Sequence, residues 1–130
     1  MKISVLAGEF MKVPPVGLVL TDDQVLRSLR DATRFYCAYA DLDSGEVIDE
    51  SALGKDEPVQ ELNITISELG LIKPLWLLYM ERENSTTLEA SRSMGADPYG
   101  RSVAEVQASI TEYEQRLPAL AFTCDFVSIN

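Results

Sequence analysis

The chain has 130 residues, 46% of them apolar, which is the length and composition of one domain around one buried core. Eleven Lys and Arg against 21 Asp and Glu leave a net charge of −10, so independent nucleic-acid binding, which rests on basic patches that neutralise phosphates, is disfavoured. Histidine is absent, which excludes Ser-His-Asp and Cys-His catalysis, HExxH zinc sites and imidazole pH switching.

The stretch 1–20 opens with alternation at Ile3, Val5 and Ala7 and then passes Gly8, Pro14, Pro15 and Gly17 to Leu18-Val19-Leu20. Paired prolines forbid helix and favour a stiff path, so the reading is an extended arm or short strand. The short apolar stretch at the N-terminus is broken by Glu9, and without a continuous h-region it predicts no signal peptide. No apolar run approaches the ~18 residues of a membrane span, so no membrane partner is expected. The sequons at Asn63 and Asn84 are then chance.

Thr21-Asp-Asp-Gln24 is a capping-box pattern and starts a helix. Val25, Leu26, Leu29, Ala32, Thr33, Tyr36 and Ala40 fall on one broad face of it, and its end is expected near Asp41. Next comes an acidic loop, 41–60, in which Asp41, Asp43, Glu46, Asp49, Glu50, Asp56 and Glu57 stand against Lys55 alone, a net −6. It exceeds the usual connection length, so either a short strand or turn forms around Glu46-Val-Ile48 or the loop serves a function of its own.

Thr65-Ile-Ser-Glu68 is a second capping box, and the helix it opens is expected to kink or break at Pro74. Leu75-Trp-Leu-Leu-Tyr-Met80 is apolar all round and belongs at the centre of the core. From Glu81 onward the sequence turns polar, and Met94 to Gly100 is a loop on its Gly and Pro signals. Ser102-Val-Ala-Glu105 is a third capping box, after which Val103, Val106, Ile110, Tyr113 and Leu117 recur at spacings of three and four. That is a seam about 80° wide, suited to packing against one or two other helices.

Pro118 is expected to end this helix. Beyond it Leu120, Phe122, Cys124 and Phe126 alternate with smaller or polar residues, which predicts a C-terminal strand over 119–130. An unpaired apolar strand edge needs a partner, either the Ile3-Val5-Ala7 segment or another chain. An intermolecular contact through Leu120, Phe122, Phe126 and Ile129 is favoured, since strand addition supplies affinity through the main chain. The overall expectation is a mainly α single domain: a three-helix core over 21–118, an N-terminal arm over 1–20 and a C-terminal strand or arm. Leu29, Tyr36, Ile72, Leu75, Trp76, Tyr79, Val106, Ile110 and Tyr113 are the expected core residues.

The candidate sites are few. Asp41-Leu-Asp43-Ser-Gly45 has no acidic residue at the twelfth position of a calcium loop, where Ala52 stands, and the glycines fit neither a Walker A loop nor a GxGxxG turn. Cys37 and Cys124 lie far apart in apolar patterns and are read as reduced core thiols of a cytosolic protein. No catalytic residue, metal or cofactor is therefore expected. Arg27, Arg30 and Arg34 fall within about 60° of one another beside the apolar face of the first capped helix. They form either a solvated face or a contact stripe for an acidic surface, such as the 41–57 loop of a second copy.

A helix capped at Thr21-Asp-Asp-Gln-Val-Leu with small and aromatic residues on its inner face, a long irregular insertion, a longer helix pair and an extended C-terminal arm together resemble the head-to-tail connector (adaptor) proteins of tailed bacteriophages. The resemblance is one of organisation along most of the chain. It implies a homo-oligomeric ring under the portal, arms clamping portal, tail or neck proteins or neighbours, and a place in the virion after assembly in the host cytoplasm. It also implies an acidic lumen through which DNA slides without specific binding, since an anionic channel repels phosphates. The Pro-containing N-terminal arm departs from a simple helical adaptor and leaves open which terminus meets the portal. An acidic DNA-mimic inhibitor of a DNA-binding enzyme is the alternative, although the acidic residues concentrate in one loop and do not form stripes on the helices.

Overall fold

The computed structural model describes residues 1–48, 59–92 and 102–129, with side chains described over 1–48, 59–90 and 102–121. Within these residues the chain is mainly helical: α1 (Ile3–Lys12), α2 (Asp22–Cys37), α3 (Ile66–Arg92) and α4 (Val103–Ile129). α2 packs on α3, α3 on α4, and α1 on α2. Cross-helix bonds set the directions. Gln24 and Ser28 reach Glu83 while Asp43, beyond the end of α2, reaches Glu68, so α2 runs antiparallel to α3. Tyr113 reaches Leu71 and Arg82 reaches Gln107, so α3 and α4 form an antiparallel hairpin.

The first correction falls on the N-terminal arm, which is a helix over most of its length. Ile3 and Ala7 share a face at a spacing of four as well as at a spacing of two. With Leu6, Phe10 and Met11 packed on the core beside them, the helical period wins. Val5, on the strand pattern, is 55% exposed. Pro14 and Pro15 come after the helix and act as its stop. α1 has no side-chain cap, and its first-turn amides bond instead to the 61–64 segment: Ile3 N–H donates to the Leu62 carbonyl at 3.0 Å and Ser4 N–H to Glu61 Oε1 at 3.2 Å. An isolated antiparallel bridge between Lys2 and Asn63 completes the tie.

The three capping patterns hold locally. Thr21 and Gln24 form a reciprocal box, with Gln24 N–H donating to Thr21 Oγ1 at 3.3 Å and Thr21 N–H to Gln24 Oε1 at 2.8 Å. Thr65 and Glu68 do the same at the start of α3, and Ser102 Oγ accepts the Glu105 amide at the start of α4. α2 ends at Cys37, four residues before Asp41, in a turn that still buries Ala40. Around Glu46-Val-Ile48 there is no strand. The chain turns earlier, at Leu42–Gly45, where Gly45 N–H bonds the Leu42 carbonyl and Gly45 takes φ +80, a conformation open to glycine. The expected loop from Met94 to Gly100 lies outside the described residues.

Pro74 and Pro118 both lie inside helices. α3 is one element through Pro74, so no separate helix begins there. Ile72, Leu75 and Trp76, fully or almost fully buried on both sides of Pro74, outweigh the one ladder bond that its missing N–H removes. α4 likewise continues through Pro118 to Ile129, which corrects the predicted strand over 119–130. The reason is visible in the burial. Val106, Ile110, Leu117 and Ala121 are all at 0% exposure, so the helical seam carries on past the proline. The alternation of Leu120, Phe122, Cys124 and Phe126 was too short to distinguish a period of two from one of 3.6.

Seven of the nine expected core residues are buried, and Tyr79 and Tyr113 are partly buried with their hydroxyls tied to Glu114 and the Leu71 carbonyl. Ile3, Leu42, Leu62, Ile64 and Leu117 join them. Trp76 stands where α1, α2 and α3 meet. Its Nε1–H donates to the Val25 carbonyl at 3.1 Å, and its ring lies 5.2 Å from that of Phe10. Trp76→Ala removes both contacts and opens a cavity. The expected cost is about 3–5 kcal/mol, a large share of the 5–15 that a domain typically has. Urea unfolding should show loss of the cooperative transition or a midpoint far below the parent's.

Candidate interaction surface

The three arginines of α2 do not form one outward stripe. Arg27 Nε–H donates to the Asp23 carbonyl at 3.4 Å, one turn back. Arg30 lies low on the helix, its side chain 14% exposed, and makes a two-nitrogen contact with Asp31 Oδ1 at 3.2 and 3.0 Å. Arg34 is the exposed member of the set. Phe35 and Cys37 also pack on the core, so the buried face of α2 is wider than the predicted one and takes in the Arg30 stem.

Arg34 stands at a groove of about 370 Å³, formed by the last turn of α2 and the chain that follows it. Its walls are Cys37, Ala38, Ala40, Leu42, Val47 and Ile48, with Arg34, Asp41 and Glu46 as the charged members. The structure thus brings one arginine of the predicted stripe together with two carboxylates of the predicted acidic loop, within one chain. Asp43 is exposed beside it, whereas Asp49, Glu50, Asp56 and Glu57 lie outside the described residues. Glu46 is turned toward the chain and accepts from Asn63 N–H at 2.7 Å and Asn63 Nδ2–H at 3.1 Å. The Asn63 amide holds its carboxyl below the usual range. Leu120 is half-buried on α4, and the side chains of Phe122, Phe126 and Ile129 are outside the described set.

Cys37 is half-buried in the groove wall. Burial, with the negative charges of Glu68 and Asp41 adding to it, pushes its thiol up to about 11 from an ordinary value of 9.0. That is the opposite of an activated nucleophile. Glu68 itself is 3% exposed, yet its carboxylate is fully used: Oε1 accepts from Thr65 N–H at 2.8 Å and Oε2 from Asp43 N–H at 3.0 Å. One side chain therefore caps α3 and fixes the start of the acidic loop.

A second cleft, about 250 Å³, lies between α2 and α3, lined by Ser28, Asp31, Tyr79, Arg82, Glu83 and Thr86. Its polar groups are spent on one another and on α4. Arg82 lies 5.2 Å over the Tyr79 ring and donates to Gln107 at 2.9 Å, while Tyr79 donates to Glu114 at 3.0 Å. Burial and the Glu114 charge raise the Tyr79 hydroxyl well above its usual range. No buried side-chain nitrogen or oxygen among the described residues lacks a partner, and no three metal-ligating side chains cluster there.

The surface feature that sequence reasoning missed is the turn between α1 and α2. Val13 and Val16 are 86% and 85% exposed on either side of Pro14-Pro15, and the turn is pinned to α3 by Asn84. Asn84 Oδ1 accepts from Val19 N–H at 2.7 Å and its Nδ2–H donates to the Gly17 carbonyl at 3.0 Å. The signal was present as two valines bracketing two prolines, in a stretch with no polar residue.

Among the described residues no helix is long and apolar enough to cross a membrane. Comparison with family models, with curated proteins and with solved structures gave no match for this chain.

Arg34→Glu should leave the urea midpoint nearly unchanged, because exposed charges contribute little to folding, whereas Arg30→Glu should lower it measurably by placing an anion beside Asp31 at a poorly hydrated position. In a Cys124→Ser background, alkylation of Cys37 at pH 8 should run about a hundredfold slower in the folded protein than in denaturant, the two-unit rise in thiol pKa setting the thiolate fraction. Equal rates would show an ordinary exposed thiol.

Proposed function

We propose that this chain is a structural assembly protein, a ring-forming connector that joins a phage portal to the tail around an acidic DNA channel. The observation that carries the reading is the pairing of a mainly helical chain of net charge −10 with large apolar side chains left exposed on its connecting segments: Val13, Val16 and Val19 before the start of α2, and Tyr39 and Val47 beyond its end. Val13 and Val16, exposed together on one rigid turn, suit a protein contact. The net charge supplies the second half of the argument, since a protein at −10 repels a passing duplex and does not trap it. Of the three arginines on α2, Arg27 and Arg30 bond within their own helix. The paired long helices α3 and α4, each of 27 residues and so about 40 Å in length, supply a stiff wall for side-by-side packing.

The test is native mass measurement of the purified chain, alone and mixed with a portal ring encoded in the same genome, together with a DNA-binding assay at physiological salt. A closed homo-oligomer, alone or on the portal, with no retention of duplex DNA is the expected outcome. A chain that stays monomeric, ignores the portal and competes with DNA for a DNA-binding enzyme would replace this reading with that of a DNA mimic.

A further inference from the structure

We infer that the Val13–Val16 turn of one copy docks in the groove at the end of α2 of the next, so that copies join head to tail. The inference rests on the ring reading above and names the contact that would build it. The turn and the groove lie at opposite ends of one helix. The turn is fixed by Asn84 beside the start of α2, where Gln24 meets Glu83, and the groove opens at Arg34 and Ala38, beyond the point where the chain returns to Glu68. The 16 residues of α2 separate them by about 24 Å. A knob and a hole on different patches of the same molecule make a heterologous contact, which propagates and closes into a ring when the rotation allows.

The two surfaces are matched in chemistry. The turn offers two valines at 86% and 85% exposure on a Pro-Pro frame, and its cost of ordering is already met by the φ-locked prolines and by the two Asn84 bonds. The groove offers Ala38, Val47 and Ile48 as accessible aliphatic surface, with the buried Ala40 and Leu42 completing its wall, in about 370 Å³, a volume suited to a few aliphatic side chains. Lys12 is the sole charged residue between Phe10 and Leu20, and it stands 69% exposed at the root of the turn in an exposed pair with Glu9. The groove carries two carboxylates, Asp41 and Glu46, against Arg34. In this docking the valines meet the aliphatic part of the groove, and Lys12 can exchange its exposed Glu9 partner for the Asp41 and Glu46 carboxylates.

The experiment uses two variants of the full chain, Val13→Asp/Val16→Asp in the turn and Ala38→Glu in the groove, all at exposed positions so that circular dichroism and the thermal midpoint should match the parent. The parent should assemble, alone or on a portal ring, each variant alone should be monomeric, and an equimolar mixture should stop at a heterodimer, because one good turn and one good groove remain. As an independent reading, Val16→Cys/Ala38→Cys in a Cys37→Ser/Cys124→Ser background, treated with diamide as oxidant, should give a ladder of disulfide-linked oligomers that either single cysteine fails to give. If the parent assembles and the variants assemble equally, or the double-cysteine chain gives no ladder, this contact is wrong while the ring reading survives. If the parent is monomeric alone and on the portal, both fall.

Discussion

The fold depends on one indole. Trp76 is the point where three helices converge: it belongs to α3, donates its N–H to the backbone of α2 at Val25 and packs its ring against Phe10 of α1. A tryptophan can hold this place because it pairs the largest apolar surface of any side chain with a single donor, and a buried donor must find an acceptor. The Val25 carbonyl provides it in the first turns of α2, so the hydrogen bond fixes how far α2 slides along α3. That register sets Gln24 and Ser28 against Glu83 at one end and brings the Leu42 turn to Glu68 at the other. The exposed turn and the groove are positioned by the same constraint.

The acidic composition is put to structural use within this frame. Carboxylates serve repeatedly as acceptors for backbone amides that have no helical partner: Glu61 at the start of α1, Glu68 at the start of α3, Glu89 on the Val103 amide of α4, and Glu46 on the Asn63 strand-like segment. Amides at helix starts carry partial positive charge, so anions there stabilise the fold while raising the net negative charge. The remaining carboxylates on the outside account for self-repulsion in a protein at −10, and they also shape its relation to other polyanions. A chain built this way favours contacts made by apolar side chains and isolated cations over broad basic patches.

The same reasoning separates the two surface features proposed for assembly from the cleft between α2 and α3. The cleft between α2 and α3 is closed chemically, with Arg82, Tyr79 and Glu83 bonded to neighbours in the same chain. The groove beyond α2 mixes aliphatic side chains with Arg34, Asp41 and Glu46, whereas the Pro-Pro turn is apolar and is held in place by side-chain bonds to its backbone. Exposed valines on a rigid support lose little conformational freedom on docking, which is why the proposed assembly reading rests on them.

How much of this was legible from residues alone follows from the range of each interaction. Three helix starts were written in the sequence, because a capping box is satisfied within four residues, and the burial of Leu29, Tyr36, Ile72, Leu75, Trp76, Val106 and Ile110 followed from helical spacing over long windows. What only the tertiary structure decided lay where windows were short or where the partner was distant. Ile3-Val5-Ala7 and Leu120 onward fit a period of two as well as one of 3.6, and packing of Ile3, Ala7 and Ala121 on the core settled both as helix. Pro74 and Pro118 carried the local cost of a lost hydrogen bond and of the ring's clash with the preceding turn, which burial on both sides exceeded. The arginines of α2 shared a helical face in sequence, but Arg30 went to Asp31 and Arg34 to the groove because the width of the buried face is set by what packs against it, a quantity that no single helix contains.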